Sequence, residues 1–205
     1  MIRAKEKKER SLGEHLQIKG DRCNSPKCAL VRKPYRPGVH GHKRQRKALS
    51  EYGQQLKEKQ KFKVSYGVDE KELRNIFKKA AEYSGSTSAR LIELLERRLD
   101  NVLFRIGFAP SRSAAHQLIV HGHVLVNGKR TRSPGFLVRV KDVMSFRPES
   151  KNLGAVKMLP ERLKNYDGPA WLSVDKDKME GRVLSLPDNV ALPFNVNLLV
   201  ESFSK

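Results

Sequence analysis

Apolar residues recur at helical spacing in several stretches of the chain. Over residues 91–106 they fall at steps of four, four, three and four, which predicts one amphipathic helix of about four turns. Residues 49–62 and 69–83 show a similar period, and Asp69 is placed as an N-cap for the second of these predicted helices. Ser111 is placed to cap a fourth helix that Gly122 would end. The first part of the chain is therefore predicted to be mainly helical.

Alternation of apolar and polar residues follows these helices. The run from Val124 to Val126 predicts a short strand that enters Asn127-Gly128, the dipeptide best suited to the positive φ angles of a tight hairpin. Further strands are predicted over residues 136–140, 143–146, 171–174, 182–186 and 197–203, with a moderately helical stretch over 149–165. Helices followed by a small antiparallel sheet indicate an α+β fold.

Composition and pattern divide the chain into four predicted parts. Residues 1–45 mix proline and glycine with lysine and arginine, which predicts a basic, loop-rich extension that is ordered where it lies on a partner's phosphates. Residues 46–90 predict a helical domain that the segment 190–205 joins. Residues 91–150 form a helix, helix and hairpin module, and residues 151–189 complete the α+β domain.

Charge narrows the range of partners. The chain holds 42 Lys and Arg against 22 Asp and Glu, a formal net charge of +20. Residues 1–63 contain 19 basic and 6 acidic side chains, whereas residues 150–205 contain 8 and 7. A one-signed excess of this kind is the electrostatic footprint of phosphate binding, so the sequence predicts a nucleic-acid partner.

Other locations and partners are disfavoured. The longest apolar runs are far shorter than the roughly 20 residues that cross a bilayer, and the charged opening does not resemble a secretory signal. We therefore expect no membrane partner. Two cysteines cannot form a disulfide framework, which is consistent with a reducing, cytoplasmic location.

The helix that begins after Ser111 is the first candidate site for RNA. Ser111, Arg112 and Ser113 place hydroxyls, a guanidinium and free backbone N–H groups at the positive end of a helix dipole. His121 and His123 follow the helix, and the hairpin adds further cations. The alternative interpretation is an ordinary helix cap beside a solvated turn.

Several segments carry a family resemblance. The segments RLDNVL (98–103), SRSAA (111–115), QLI (117–119) and VNG (126–128) closely resemble the S-four RNA-binding module. The segments GDRC (20–23), RPGVHG (36–41), SEYGQQLKEKQK (50–61), PAWLSVD (169–175) and LVESFSK (199–205) resemble the family of bacterial small-subunit ribosomal protein number four. The resemblance covers nearly the whole length of the chain.

The resemblance implies a structural ribosomal protein that binds a helical junction in the 5′ domain of small-subunit ribosomal RNA and nucleates subunit assembly. It also implies a contribution to translational accuracy and contact with ribosomal proteins three and five, and it leaves open binding to the chain's own messenger RNA. The resemblance and the charge pattern together predict these RNA-binding residues: Arg22, Lys27, Arg32, Arg36, His40, Lys43, Arg44, Tyr52, Gln55, Lys59, Arg98, Ser111, Arg112, Gln117, His121, His123, Lys129 and Arg130.

Metal binding is a second candidate chemistry. Cys23 and Cys28 have a spacing that a zinc loop tolerates, and two histidines follow them. Some members of the resembled family carry two cysteine pairs here and bind zinc or an iron–sulfur cluster. In this chain Glu6 and Glu9 stand roughly where the upstream pair would fall. We therefore predict no cofactor, with Cys23 and Cys28 as free thiols and zinc as the alternative.

Catalysis is a third candidate. The tripeptide from Arg98 to Asp100 resembles the aspartate-bearing tripeptide of pseudouridine synthases, but Leu99 belongs to the apolar face of a helix and Asp100 is placed as a surface partner of an arginine. The 55 residues after Ser150 are too few for a synthase domain. We predict no enzyme, and the alternative is a stand-alone RNA-modifying or stress-related factor.

Overall fold

The structure, a computed structural model, describes residues 5–42, 48–164, 166–188, 190 and 192–204. The chain divides into two units: unit 1 comprises Met1–Leu91 with Ala191–Lys205, and unit 2 comprises Ile92–Val190. About half of the described residues lie in helices, and five strands form one antiparallel sheet. The predicted α+β class is therefore confirmed. Within the ranges given above, no helix is long and apolar enough to cross a membrane.

Capping residues define the central helices of unit 1. The Ser50 hydroxyl accepts from Gly53 N at 3.2 Å, and the Asp69 carboxylate accepts from Glu72 N at 2.7 Å. Each satisfies an N–H group that has no partner within its helix. The Asp69 cap was predicted from the sequence and is confirmed. The helices of this unit are α1 (Lys5–Leu12), α2 (Ala29–Arg32), α3 (Glu51–Tyr66), α4 (Glu70–Ala81) and α10 (Val196–Ser204).

The last element is a helix, so the strand predicted over 197–203 is wrong. The Asn195 side chain accepts from Asn197 N and Leu198 N at 3.1 and 3.3 Å, which caps α10. Leu199 is fully buried where α10 packs on α3, and Phe203 stacks on Phe77 of α4 at 5.1 Å between ring centroids. The apolar run satisfies a helical period when it is read from its cap.

The N-terminal segment, predicted to be mostly loop, contains α1, α2 and a 3₁₀ turn over Gly20–Asn24. Leu12, Leu16 and Ile18 bury a small core with Val64 of α3. Glu9 is 2% exposed, and its carboxylate accepts from the backbone N–H groups of Leu16 and Ile18 at 3.1 and 3.3 Å. This carboxylate fixes the turn that follows α1.

The single helix predicted over 91–106 is interrupted. It forms α5 (Thr87–Glu96) and α6 (Leu99–Arg105), and Arg98 between them is extended, with φ −64° and ψ 136°. Carbonyls of Phe136 and Pro134 accept from Leu99 N and Asp100 N at 2.8 and 3.2 Å. A neighbouring chain segment therefore supplies partners for the first N–H groups of α6, and the apolar period continues through the break.

Unit 2 packs its helices against a five-stranded sheet. The elements that follow α6 are α7 (Arg112–Val120), β1 (Val124–Val126), β2 (Lys129–Arg130), β3 (Val143–Phe146), α8 (Gly154–Lys157), α9 (Leu159–Lys164), β4 (Leu172–Asp175) and β5 (Glu180–Val183), with a 3₁₀ turn over Pro148–Asn152. The sheet order is β2-β1-β3-β5-β4, with every neighbouring pair antiparallel. Apolar side chains of α6, α7, α9 and every strand except β2 form one core.

The predicted strands of unit 2 are mostly confirmed. Asn127 and Gly128 have φ of 50° and 75°, as the hairpin prediction requires. The strand predicted over 136–140 is wrong, because this segment makes only the isolated bridge between Leu137 and Arg98. Instead, the Phe136 carbonyl accepts from Leu99 N of α6 and the Val138 carbonyl accepts from Arg97 Nε. The strand predicted over 182–186 begins two residues earlier, at Glu180.

The hairpin is fastened to the end of α7. Gly122 has φ +74°, and a Cβ there would lie 2.3 Å from Nε of Arg130. Arg130 donates from Nε to the Gly122 carbonyl at 3.1 Å and from Nη2 to the His121 carbonyl at 3.3 Å. A cation on the last carbonyls of a helix also complements its dipole. Nδ1 of His123 lies 2.9 Å from the Ser150 hydroxyl.

The Asn195 cap predicts a measurable contribution to stability. Asn195→Ala should lower the free energy of unfolding by about 1 kcal/mol, because two N–H groups of α10 lose their acceptor. Asn195→Asp keeps an acceptor and should retain most of the stability. Urea denaturation of the two variants and the wild type measures this. Equal midpoints for all three proteins would contradict a capped helix at this position.

His123 predicts a pH dependence of stability. Burial, followed by the charges of His121, Arg130 and Arg147, lowers the pKa of His123 below its usual value of 6.5. As the pH decreases below about 6.5, His123 takes up a proton in the unfolded chain but not yet in the folded chain. The free energy of unfolding therefore decreases until the pH is below the folded pKa. His123→Gln should show a smaller loss of unfolding free energy between about pH 7.5 and 5.5 than the wild type. An identical loss in both proteins would be the contrary result.

Candidate RNA-binding surface

A buried polar network lies under the junction of α6 and α7. The Glu96 carboxylate is fully buried and accepts two hydrogen bonds from Arg105, from Nε at 2.9 Å and from Nη2 at 2.8 Å. Asn101 Nδ2 donates to the same carboxylate at 2.8 Å and to the Glu96 carbonyl at 2.9 Å. A buried carboxylate that accepts three such bonds, two of them from a guanidinium, is paired and satisfied, as burial of a charge requires.

This network positions Arg112, the first residue of α7. Arg112 Nε donates to Asn101 Oδ1 at 2.7 Å, and its guanidinium carbon lies 4.8 Å from the ring centroid of Phe104. The Ser111 hydroxyl caps α7 by accepting from Ala114 N at 3.3 Å. The guanidinium is therefore held beside the N-terminal end of α7, where backbone N–H groups and the helix dipole favour an anion.

Sequence reasoning missed the residues that hold Arg112. Asn101 is fully buried and Phe104 is half-buried, and neither was predicted as part of the site. A signal was present, because Asn101 lies between the apolar residues Leu99 and Val102 of one predicted helix, and a buried amide requires partners. The identity of those partners depends on the turn between α6 and α7.

Arg98 and Asp100 form a buried ion pair. Arg98 donates to Asp100 from Nε at 3.1 Å and from Nη2 at 2.9 Å, and the two residues are 4% and 2% exposed. The pairing of Asp100 with an arginine was predicted, but its placement on the helix surface was wrong, because the break before α6 turns both side chains inward. Arg98 is therefore too buried to contact RNA, and the proposed interface does not include it.

Around the end of α7 the predicted residues differ in exposure. Gln117 and His121 are exposed, and His123 is half-buried, with its ring centroid 6.1 Å from that of His121. Lys129 is exposed in the hairpin. Arg130 is exposed as a residue, but its bonds to the two carbonyls fix its guanidinium at the helix end. The structure thus groups these five side chains around the α7 end and the hairpin.

In unit 1 the predicted RNA-binding residues of α3 also differ in exposure. Tyr52 is 73% exposed and can present its ring to a base. Gln55 is 3% exposed and donates to Glu51 and Glu201, so it is left out of the proposed interface. Lys59 pairs with Glu70 at 3.0 Å and lies 5.4 Å from the ring centroid of Phe203.

The described N-terminal candidates are exposed, most of them on turns and Arg32 at the end of α2. Arg22 pairs with Glu6 at 3.0 Å, with half of its side chain exposed. Arg36 and His40 lie on a tight turn in which a Cβ on Gly41 would overlap the Arg36 carbonyl oxygen, at 1.7 Å. Two further candidates, Lys27 and Arg32, are exposed. The remaining candidates, Lys43 and Arg44, lie outside the described residues.

The two cysteines are free, buried thiols. Cys23 Sγ accepts from Lys19 N at 3.3 Å, and Cys28 Sγ lies 3.9 Å from Nε2 of His15. Burial is the main cause that raises the pKa of Cys23. Glu6 and Glu9, which stand where further ligands would be expected, bind Arg22 and backbone N–H groups. In the part of the chain that is described, no group of three or more His, Cys, Asp and Glu is arranged to hold a metal ion.

Two known families match consecutive parts of the chain. Residues 1–96 match the family described as ribosomal protein S4/S9 N-terminal domain, and residues 97–144 match the S4 domain. The second match contains α6, α7 and the hairpin, which are the elements that position Arg112 and the histidines.

Whole-length relatives extend this result. The chain is 46% identical to the small ribosomal subunit protein uS4 of Thermoanaerobacter pseudethanolicus, 45% to that of Thermus thermophilus and 46% to that of Syntrophomonas wolfei. Each alignment covers 94% of this chain and 93% of the relative. Identity at this level across nearly the full length of both proteins shows that the chain belongs to the ribosomal protein S4 family, which is structural and not enzymatic.

Proposed function

We propose that this protein is a structural component of the small ribosomal subunit that binds ribosomal RNA directly. The observation that carries the proposal is the family match along both units, including the N-terminal family domain and the S4 domain. The site of binding is a helical junction in the 5′ domain of the RNA, and binding helps to nucleate folding of that domain. The protein acts in the cytoplasm as part of the subunit, beside ribosomal proteins three and five.

Charge supports RNA as the direct partner. The net charge of +20 cannot be neutralised within the chain, and surplus cations are exposed on the N-terminal turns and around α7. Binding of these cations to phosphates releases counterions that are condensed on the RNA, so affinity decreases with salt. This contribution supplies binding strength but little sequence selectivity.

Selectivity comes from the fixed positions of the contacts. Arg112 is held by Asn101 and Phe104, and Arg130 is held by two carbonyls of α7, so these cations cannot follow an arbitrary RNA surface. Tyr52 and the histidines after α7 add rings that can stack on unpaired bases. A folded junction presents phosphates and unstacked bases at irregular angles, which is the target that fixed, scattered contacts suit.

Association with the subunit is the direct test of the proposal. A component of the small subunit should co-sediment with small subunits in a one-to-one ratio and remain bound after a moderate salt wash. Quantitative mass spectrometry of gradient fractions measures the ratio. A strongly substoichiometric amount would favour a stand-alone factor that uses the same module, and it would contradict the proposal.

Substitution of Arg112 is expected to weaken RNA binding specifically. Arg112→Ala should weaken binding to a transcript of the 5′ domain by roughly tenfold and lower the slope of log affinity against log salt by about 0.7–0.9, because one phosphate contact is lost. Arg112→Lys keeps the charge, so its salt slope should stay near the wild-type value. Arg139→Ala, on an exposed turn outside the proposed interface, is the matched control.

Filter binding at several salt concentrations measures both quantities for Arg112. Circular dichroism checks that the variants are folded. Wild-type affinity and slope for Arg112→Ala would exclude the N-terminal end of α7 as a contact surface.

A further inference from the structure

A cavity of about 480 Å³ lies between α1, α2 and the start of the exposed turn at residue 36. Its volume falls within the range of about 300–1,000 Å³ that is typical of sites for small ligands. It belongs entirely to unit 1, and neither the S4 domain nor the residues around α7 contribute to it. Its lining includes Arg10, His15, Leu30, Val31, Tyr35, Arg36 and Lys57.

Arg10 fixes the wall of this cavity in the absence of a ligand. Its guanidinium donates from Nε to the carbonyls of Lys33 and Tyr35, at 3.1 Å each, and from Nη2 to the Tyr35 carbonyl at 3.0 Å. The guanidinium carbon also lies 4.8 Å from the Tyr35 ring centroid, and the ring of His42 contacts that of Tyr35 at a tilt of 32°, with the centroids 3.7 Å apart. These contacts tie α1 to the segment after α2, so the cavity exists without a ligand.

The lining combines positive charge with apolar and aromatic surface. Arg36 is exposed at the cavity, and Lys57 reaches it from α3. None of the residues that line it is acidic. The Glu14 carboxylate, between two lining residues in the sequence, is 3.7 Å from Lys57 but 2.5 Å from Lys61, which holds it more closely. Leu30, Pro34 and Val31 are apolar, and Val31 is 61% exposed.

The combination identifies the chemical class of the occupant. A site for phosphate alone would need only the cations, and the apolar residues in the wall would be unexplained. A peptide segment would satisfy the apolar wall but would have to supply several carboxylates to match the charge. One nucleotide supplies both features, because its base has an apolar face and its phosphate is an anion.

We propose that this cavity binds a single unstacked nucleotide of the RNA, with the base against the apolar and aromatic wall and its phosphate near Arg36 and Lys57. The inference rests on the proposed function and adds to it a base-binding site outside the S4 domain. Unit 1 would then recognise an unpaired position of the junction, in addition to attracting its phosphates.

Filling the cavity tests this inference. Val31→Trp introduces a bulky ring at an exposed position of the lining without a change of charge, and Val140→Trp is the matched control at a half-exposed valine of unit 2. Loss of one base contact should weaken binding of the 5′-domain transcript by roughly tenfold or more for Val31→Trp, with an unchanged salt slope, and leave Val140→Trp near wild type. Arg36→Gln should lower the salt slope by about 0.7–0.9, whereas Arg74→Gln on α4 is its control.

Chemical probing of the transcript locates the nucleotide. The wild type and Val140→Trp should protect the base of one unpaired nucleotide that Val31→Trp leaves reactive, while the other protections remain. Wild-type affinity and protections for Val31→Trp would overturn the inference but leave the proposed function intact. Failure of the wild type to bind the transcript would instead contradict the proposed function, and with it the inference.

A second arm distinguishes a nucleotide within RNA from a free one. The four ribonucleoside monophosphates are titrated into the wild type and Val31→Trp, and the Tyr35 signals are followed by NMR. Weak binding, at about millimolar concentrations, is expected because a free nucleotide lacks the contacts of its neighbours in the chain. Saturation by one monophosphate at micromolar concentration would make the free nucleotide the occupant and would overturn the assignment to RNA.

Discussion

Repulsion among its own cations is the constraint on which the structure of this protein depends. A large net charge of one sign opposes the compact state. The structure meets this constraint by placing a few carboxylates inside, where each one fixes a particular donor. Glu96 holds Arg105 and Asn101, Asp100 holds Arg98, and Glu58 holds Lys61. The interior is therefore locally neutral, and the unbalanced charge is left on the surface for an anionic partner.

The same carboxylates give that surface its rigidity. Breaking a buried pair by removal of one partner is strongly destabilising, so the geometry around Glu96 is fixed as long as unit 2 is folded. Through Asn101 it determines where Arg112 lies, although Glu96 itself is fully buried. Glu9 has a similar effect in unit 1, where it organises the turn before the two thiols. Interior electrostatics and surface recognition are thus parts of one arrangement.

Local signals predicted much of this structure from the sequence, and non-local contacts limited the rest. The caps at Asp69 and Ser111 and the turn at Asn127 depend on a few adjacent residues, and all three are confirmed. The break at Arg98 could not be read from apolar spacing, because its cause is a segment almost 40 residues away and the burial pattern is the same on both sides. For the site, the sequence indicated cations but could not show that Arg98 is internal or which residues hold Arg112. The helix after Asn195 was predictable, since its cap and its period are both visible.

The return of α10 to unit 1 has a consequence for biosynthesis. Residues 196–204 pack on α3, yet they are translated only after the whole of unit 2 has been made. Domains usually fold in the order in which they emerge from the ribosome. Unit 2 can therefore complete its core while unit 1 still lacks α10, so the nascent chain carries an unfinished cationic unit through about half of its synthesis. That unit would be the natural target of a chaperone, or of premature capture by nucleic acid, in the interval before translation ends.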